Sequence, residues 1–205
     1  MDSIEQQLNQ VDWKNRESIS RFYESNQLYF DNYEVIQDEN KISDFIDIKR
    51  HYVNALYSKS HYDKLVKVLD HVQDLLAKLS KDHWNYLKSE RYVRFMKGRV
   101  FGERKNFKES FAIFKELVRE DPDHHYYWVW YHHTRLGLYN WIFNAASAIG
   151  LILVFLDVVF SFDKFLNMDV GTLGTVIAIL SYLVQKALTE YYSRKKTDSN
   201  TVHVP

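Results

Sequence analysis

No cysteine occurs among the 205 residues, which excludes a disulfide framework and thiolate zinc sites. Proline is confined to Pro122 and Pro205, and there are only six glycines, so long helices can run without interruption. Neither sign of charge is in excess: 27 Lys and Arg balance 27 Asp and Glu. The total therefore points to no nucleic acid and no strongly acidic or basic partner. The start, Met1-Asp2-Ser3-Ile4-Glu5, lacks the basic residues and apolar run of a secretory signal, so any membrane insertion is expected to come from elsewhere in the chain. A phosphate-binding loop and a nucleophile elbow are missing as well. No catalytic residue, enzyme activity or cofactor is expected.

What is present is split in two. Residues 1–135 are rich in Lys, Glu, Asp, Asn and Tyr, whereas residues 136–192 carry almost no charge. The mean hydropathy of −0.41 hides this division because the polar part is longer. From Leu136 to Leu156 there is no charged residue, and a second apolar run, Val170 to Gln185, follows a short loop. About 20 apolar residues span a bilayer. The two runs are therefore expected to form a transmembrane hairpin, with helices at about 136–158 and 171–191. The second reaches full length if Lys186, near its end, snorkels to the interface. Arg135 precedes the hairpin and Arg194-Lys195-Lys196 follows it, while the connecting loop, Ser161 to Asp169, holds one Lys against two Asp. This asymmetry puts both termini in the cytosol.

The hairpin has packing features beyond a tether. Ala146-x3-Gly150 and Gly174-x3-Ala178 are small-xxx-small pairs that let helices approach. Asn140, Asn144 and Ser147 form a polar stripe, and Gln185 sits at matching depth on the second helix. Asn144 and Gln185 are expected to hydrogen-bond, within the hairpin or across a homo-oligomer formed through it.

The polar part reads as helices throughout. Ser3 can cap a short helix bearing Ile4, Leu8 and Val11. A second pattern spans about Arg16 to Gln37, with Ile19, Phe22, Tyr23, Tyr29, Phe30, Tyr33 and Ile36 on its stripe. A third, about Lys41 to Ser58, shows Phe45, Ile48, Tyr52 and Leu56. Leu65, Leu69, Val72, Leu76 and Leu79 mark the clearest amphipathic helix, with Ser60 and Asp63 in capping-box spacing before it. Trp84 to about Glu103 and Asn106 to Asp121-Pro122 follow. Short connections between such helices argue for antiparallel hairpins side by side.

Residues 91–124 carry a resemblance. Gly98 and Phe101 match a Gly-x-x-aromatic pattern, Asn106-Phe107 an inter-helix turn, Ser110 a small crossing residue, Phe114 the following aromatic, and Asp121-Pro122 a terminating turn. This resembles one tetratricopeptide repeat. Arg94 and Lys97 depart from it by replacing apolar residues of the first helix. Tyr62 to Val72 resembles a weaker copy, about 45 residues upstream rather than the usual ~34. The resemblance implies an all-α, antiparallel helical-hairpin array whose concave face binds a peptide or protein. By residue matching that face would carry Tyr92, Phe95, Arg99 and Glu103, although Tyr92 and Phe95 read equally well as core and Arg99 can pair with Glu103.

Between array and hairpin lies His124-His125-Tyr126-Tyr127-Trp128-Val129-Trp130-Tyr131-His132-His133. Trp128 and Trp130 are expected at the membrane interface before the first span, matched by Tyr191 and Tyr192 after the second. The alternative is a last packed helix without lipid contact. The four histidines have no pair at three- or four-residue spacing, so no metal site is expected.

The resulting organisation is a cytosolic helical domain over 1–122, an aromatic juxtamembrane helix over 123–135, a two-helix membrane segment over 136–192 and a basic, unstructured tail over 193–205. The expected function is a membrane-anchored adaptor that binds a cytosolic protein. The alternative is a sensor whose hairpin oligomerises to perturb the membrane.

Overall fold

The structure, a computed structural model, describes residues 4, 11–31, 38–160 and 170–201, without the side chains of Phe160, Val170, Tyr192, Ser193 and 195–201. Leu8 of the first expected helix, Tyr33 and Ile36, the 161–169 loop, the Tyr192 side chain and the end of the tail lie outside the described residues. Every helix described is α: α1 Arg16–Ser25, α2 Gln27–Asp31, α3 Glu39–Ser58, α4 Tyr62–Lys78, α5 Tyr86–Glu103, α6 Phe107–Glu120, α7 His125–Phe160 and α8 Val170–Thr201. The chain is all-α, built of packed antiparallel helices and ending in two long apolar helices in contact with each other. It forms two compact units, residues 1–100 and 101–205.

In the first unit, α3 and α4 pair across a three-residue connection, and α1 packs on α3. The second expected helix is interrupted, because Asn26 ends α1 and its backbone N–H donates to the Phe22 and Tyr23 carbonyls. Asn15 caps α1 by accepting from Glu17 N and Ser18 N, and Asp38 caps α3 by accepting from Asn40 N. The capping box expected at Ser60 is not formed. Ser60 takes a left-handed φ of 58°, ends the α3–α4 turn, and leaves His61 at the cap position. The α4 stripe is as expected: Leu65, Leu69 and Val72 are fully buried, Leu76 and Leu79 are buried as well, and Leu75 beside them is fully buried. Each such side chain contributes about 1.5–3 kcal/mol.

In the second unit, α6 packs on the first turns of α7. Tyr127, Trp130 and Thr134 recur at three and four residues and are buried. Trp130 stacks on Phe114, with ring centroids 5.7 Å apart. Gly102 makes room for this contact: a Cβ there would lie 3.0 Å from the Trp130 ring and 3.2 Å from Ser110 Oγ. The stripe continues to Gly137, where a Cβ would meet the Phe107 ring at 2.5 Å. Helix α7 runs unbroken through Gly137, which serves close packing rather than a break. At ~1.5 Å per residue its 36 residues extend about 54 Å, well beyond a ~30 Å hydrocarbon core. The surplus is the stretch that packs on α6. Helix α8 continues to Thr201, past the point where an unstructured tail was expected.

Candidate functional site

Part of the first unit's polar chemistry surrounds a cavity. Ile42, Ile46, Lys49, Val53 and Leu56 occupy one face of α3 at four- and three-residue steps, and all five are buried. Lys49 sits in the middle of this stripe with no exposed surface. Its Nζ donates to Asp31 Oδ1 at 2.8 Å and to Tyr23 Oη at 2.7 Å. Tyr23 Oη in turn donates to Asp31 Oδ1 at 3.1 Å, and Gln27 Nε2 donates to Asp31 Oδ2 at 3.0 Å. The Tyr23 ring is stacked between Phe30 and Tyr52, at 5.4 and 4.1 Å. A second pair stands beside it, where Tyr52 Oη and Lys64 Nζ each donate to Glu24 Oε1 at 2.8 Å.

These contacts set the charge states. Burial pushes the Lys49 ammonium below its usual range, against the pull of Asp31. Burial also acts to raise Asp31, but the hydrogen bonds from Lys49 and Gln27 and the Lys49 charge outweigh it and hold the carboxyl below its usual value. Tyr23 is driven far up, by burial first and by Asp31 second, and stays a neutral donor. The Lys64 and Tyr52 hydrogen bonds hold Glu24 down, and the bond to Glu24 holds Lys64 up.

The cavity has a volume of about 240 Å³ and is lined by Tyr23, Gln27, Asp31, Tyr52, Lys64, Lys67, Val68, Asp70 and His71. It was not legible from the sequence. A lysine on an otherwise apolar stripe was the available signal.

The residues proposed from sequence fall elsewhere. Tyr92 and Phe95 are buried on α5, and Tyr92 Oη donates to Asn54 Oδ1 at 2.8 Å and Arg50 O at 3.0 Å. Arg99 is buried too, its guanidinium 3.9 Å from the Tyr57 ring centroid. These three side chains form core in the first unit. Glu103 lies in the second unit and is half-buried.

In the hairpin, a Cβ on Gly150 would lie 2.6 Å from the Gly174 carbonyl oxygen and 3.0 Å from Ala178 Cβ; one on Gly174 would lie 2.6 Å from the Gly150 carbonyl oxygen. Gln185 Nε2 donates to Asn140 Oδ1 at 2.5 Å and to Asn144 Oδ1 at 3.4 Å, so Asn140 is the nearer partner. Ser147 is half-buried. Trp128 is partly exposed and its Nε1 donates to Pro122 O at 2.7 Å, while Trp130 is fully buried against α6 rather than facing outward. Tyr191 is exposed. Two segments, His125–Val159 and Gly171–Tyr191, are long and apolar enough to cross a membrane by length and composition, and little of either is buried. Among the described residues no group of three His, Asp or Glu could hold a metal. No protein-family model, no curated protein and no solved structure matches the chain.

Proposed function

We propose that the chain is a membrane-anchored helical adaptor, in which the α7–α8 hairpin spans the bilayer and the helices before it bind a protein on the cytosolic side. One observation carries the anchor. Leu151, Phe155, Leu180 and Leu183 are more than half exposed, while Gly150, Gly174 and the Asn140–Gln185 pair face inward between the helices. A water-facing hairpin would place these the other way round. Arg135 stands before the first span and Arg194-Lys195-Lys196 after the second, against a single Lys in the loop, which supports cytosolic termini. The adaptor reading rests on the tetratricopeptide-like pattern of 91–124 and its antiparallel helix pairs. Alkaline carbonate extraction should leave the full chain in the membrane pellet, and crosslinking in native membranes should capture a cytosolic protein through residues of α1–α6. Release by carbonate would overturn the anchor; crosslinks confined to lipid and to a second copy would overturn the adaptor.

A second reading has its own support. The Asn140, Asn144 and Gln185 cluster is more polarity than a tether needs. As an effector, the hairpin would oligomerise and open the membrane. Dye release from vesicles by the reconstituted chain, lost in Asn144→Leu, would favour it; a monomeric hairpin without release would remove it.

A further inference from the structure

The cavity of the first unit has a charge pattern with one gap. Asp31 is held by Lys49, Tyr23 and Gln27. Lys64 is held by Glu24 at 2.8 Å. Asp70 is held by Lys97 at 2.8 Å, on α5. Lys67, the remaining charged residue of the lining, is exposed and makes no ion pair among the described residues. His71, one turn beyond Lys67 on α4, borders the same space, with Nδ1 3.5 Å from Asp31 Oδ1.

The other walls are suited to a small organic body. Val68 and the stacked Tyr23 and Tyr52 rings give an apolar side, and Gln27 adds a polar group to the lining. The Tyr23 and Tyr52 side is pre-organised, because both rings are buried and stacked on each other and Tyr23 is bonded to the buried Lys49 behind it. At about 240 Å³ the space is smaller than the ~300–1,000 Å³ of sites that take drug-sized ligands. Its occupant is therefore of metabolite size.

We infer that this cavity is a binding site for a small soluble anion, a carboxylate or phosphate bearing a compact organic group, with Lys67 supplying the charge and the Tyr23, Tyr52 and Val68 side the apolar contact. Fixed charges already cancelled in pairs neither attract nor repel strongly, so the net field at the mouth is that of Lys67. A cationic ligand would meet that charge with no free carboxylate to offset it.

The test is site-resolved acetylation of the full chain in neutral phosphatidylcholine nanodiscs, with the modification of Lys67 read by mass spectrometry against exposed Lys108. The probes are inorganic phosphate and glutamate in separate titrations, with sodium chloride at matched ionic strength as control. Saturable protection of Lys67 by either probe, about five-fold or more and absent at Lys108, is the expected result. Which probe protects assigns phosphate or carboxylate chemistry. Val68→Asp, placed on the apolar wall, should abolish the protection, while Val68→Ile, which keeps the wall apolar, should retain it; protection unchanged in Val68→Asp, or lost equally in both variants, would overturn the apolar contact. A parallel arm uses nanodiscs containing phosphatidylglycerol and no soluble probe. Protection there and not with the soluble probes would overturn the inference in favour of a lipid headgroup. Equal labelling of Lys67 and Lys108 under every condition would overturn the site itself, and would leave the anchor and the adaptor, which are read by extraction and crosslinking, unaffected.

Discussion

Polar groups in the first unit go inward, and large apolar groups in the hairpin go outward. Lys49, Asn85 and Ser89 have no exposed surface, whereas Leu151, Phe155 and Val158 are more than 60% exposed. Inside, each of these polar side chains is met by another: Asn85 Nδ2 donates to Ser43 Oγ at 2.9 Å and Ser89 Oγ donates to Asn85 Oδ1 at 3.0 Å. In the hairpin Gln185 meets Asn140 and Asn144 across the helix interface, and backbone approaches backbone at the glycines. The same rule, that a polar group is answered by another, operates against water in one unit and against an apolar surround in the other. The difference also locates where each unit is fragile: the first at a charge, the second at a volume.

The largest effect should come from the charge. Lys49→Met keeps the length and apolar stem but removes the donor to Tyr23 and the charge that pairs with Asp31. Breaking one side of a fully buried pair costs about 3–5 kcal/mol, and the loss here should fall at the low end of that range, because the Asp31 side chain is a quarter exposed. Chemical denaturation of the detergent-solubilised chain should show that loss in the first unit. Adding Asp31→Asn and Tyr23→Phe should recover part of it, because the abandoned partners are then also removed. A single substitution as stable as the parent would mean that the network is not buried as described.

Volume is the hairpin's weak point. Gly150→Leu forces a side chain against the Gly174 carbonyl and the Ala178 backbone, neither of which can swing away. Overpacking of this kind costs about 1–3 kcal/mol. The cysteine-free chain makes it easy to follow. Asn140→Cys with Gln185→Cys should give a crosslink with a short bifunctional thiol reagent, since the parent side chains touch. Gly150→Leu should reduce its yield several-fold. An unchanged yield would show that the helices tolerate separation at this crossing.

Acid should divide the units. Asp31 and Glu24 have carboxyls held below their usual values. A depressed carboxyl adds stability that is present above the unfolded value of about 4 and is lost as pH falls through the folded one. The first unit should weaken below about pH 4, by on the order of 1–2 kcal/mol, mostly through Asp31, because Glu24 is half exposed and screened. The Asn140–Gln185 contact has no titrating group. The yield of the crosslink engineered between those two positions should therefore not follow the same curve, once corrected for thiol reactivity.

How much of this was legible depended on whether a residue's role followed from periodicity. The α4 leucines and the Gly150–Gly174 pair announce themselves by spacing, and the helices formed where the spacing put them. The Gln185 contact was legible from depth, but its choice of Asn140 over Asn144 depends on rotation of one helix about the other, which no single-helix pattern encodes. Lys49 was hidden because lysine is ordinarily read as surface. Only its place between Ile46 and Val53 on the stripe marked it, and its partners come from α1 and α2, outside its own helix. Trp130 was misplaced for the converse reason. An aromatic before an apolar run reads as interfacial, yet Tyr127, Trp130, Thr134 and Gly137 already trace one face toward α6.

That face supplies the smallest predicted effect and the one most specific to the structure. Glycine inside a helix is unfavourable by roughly 0.5–1 kcal/mol relative to alanine, so Gly137→Ala should gain that much if the glycine has no packing role. Here the new Cβ would run into the Phe107 ring, a side chain that can yield at some expense but not for nothing. The two terms oppose, and the single substitution should change stability by no more than about 0.5 kcal/mol. With Phe107→Ala in place the obstruction is gone, and Gly137→Ala should then stabilise by about 0.5–1 kcal/mol. The difference between the two backgrounds is the coupling of Gly137 to Phe107. Equal effects in both would mean that Gly137 and Phe107 are not coupled, and that the glycine has no packing role at this point of α7.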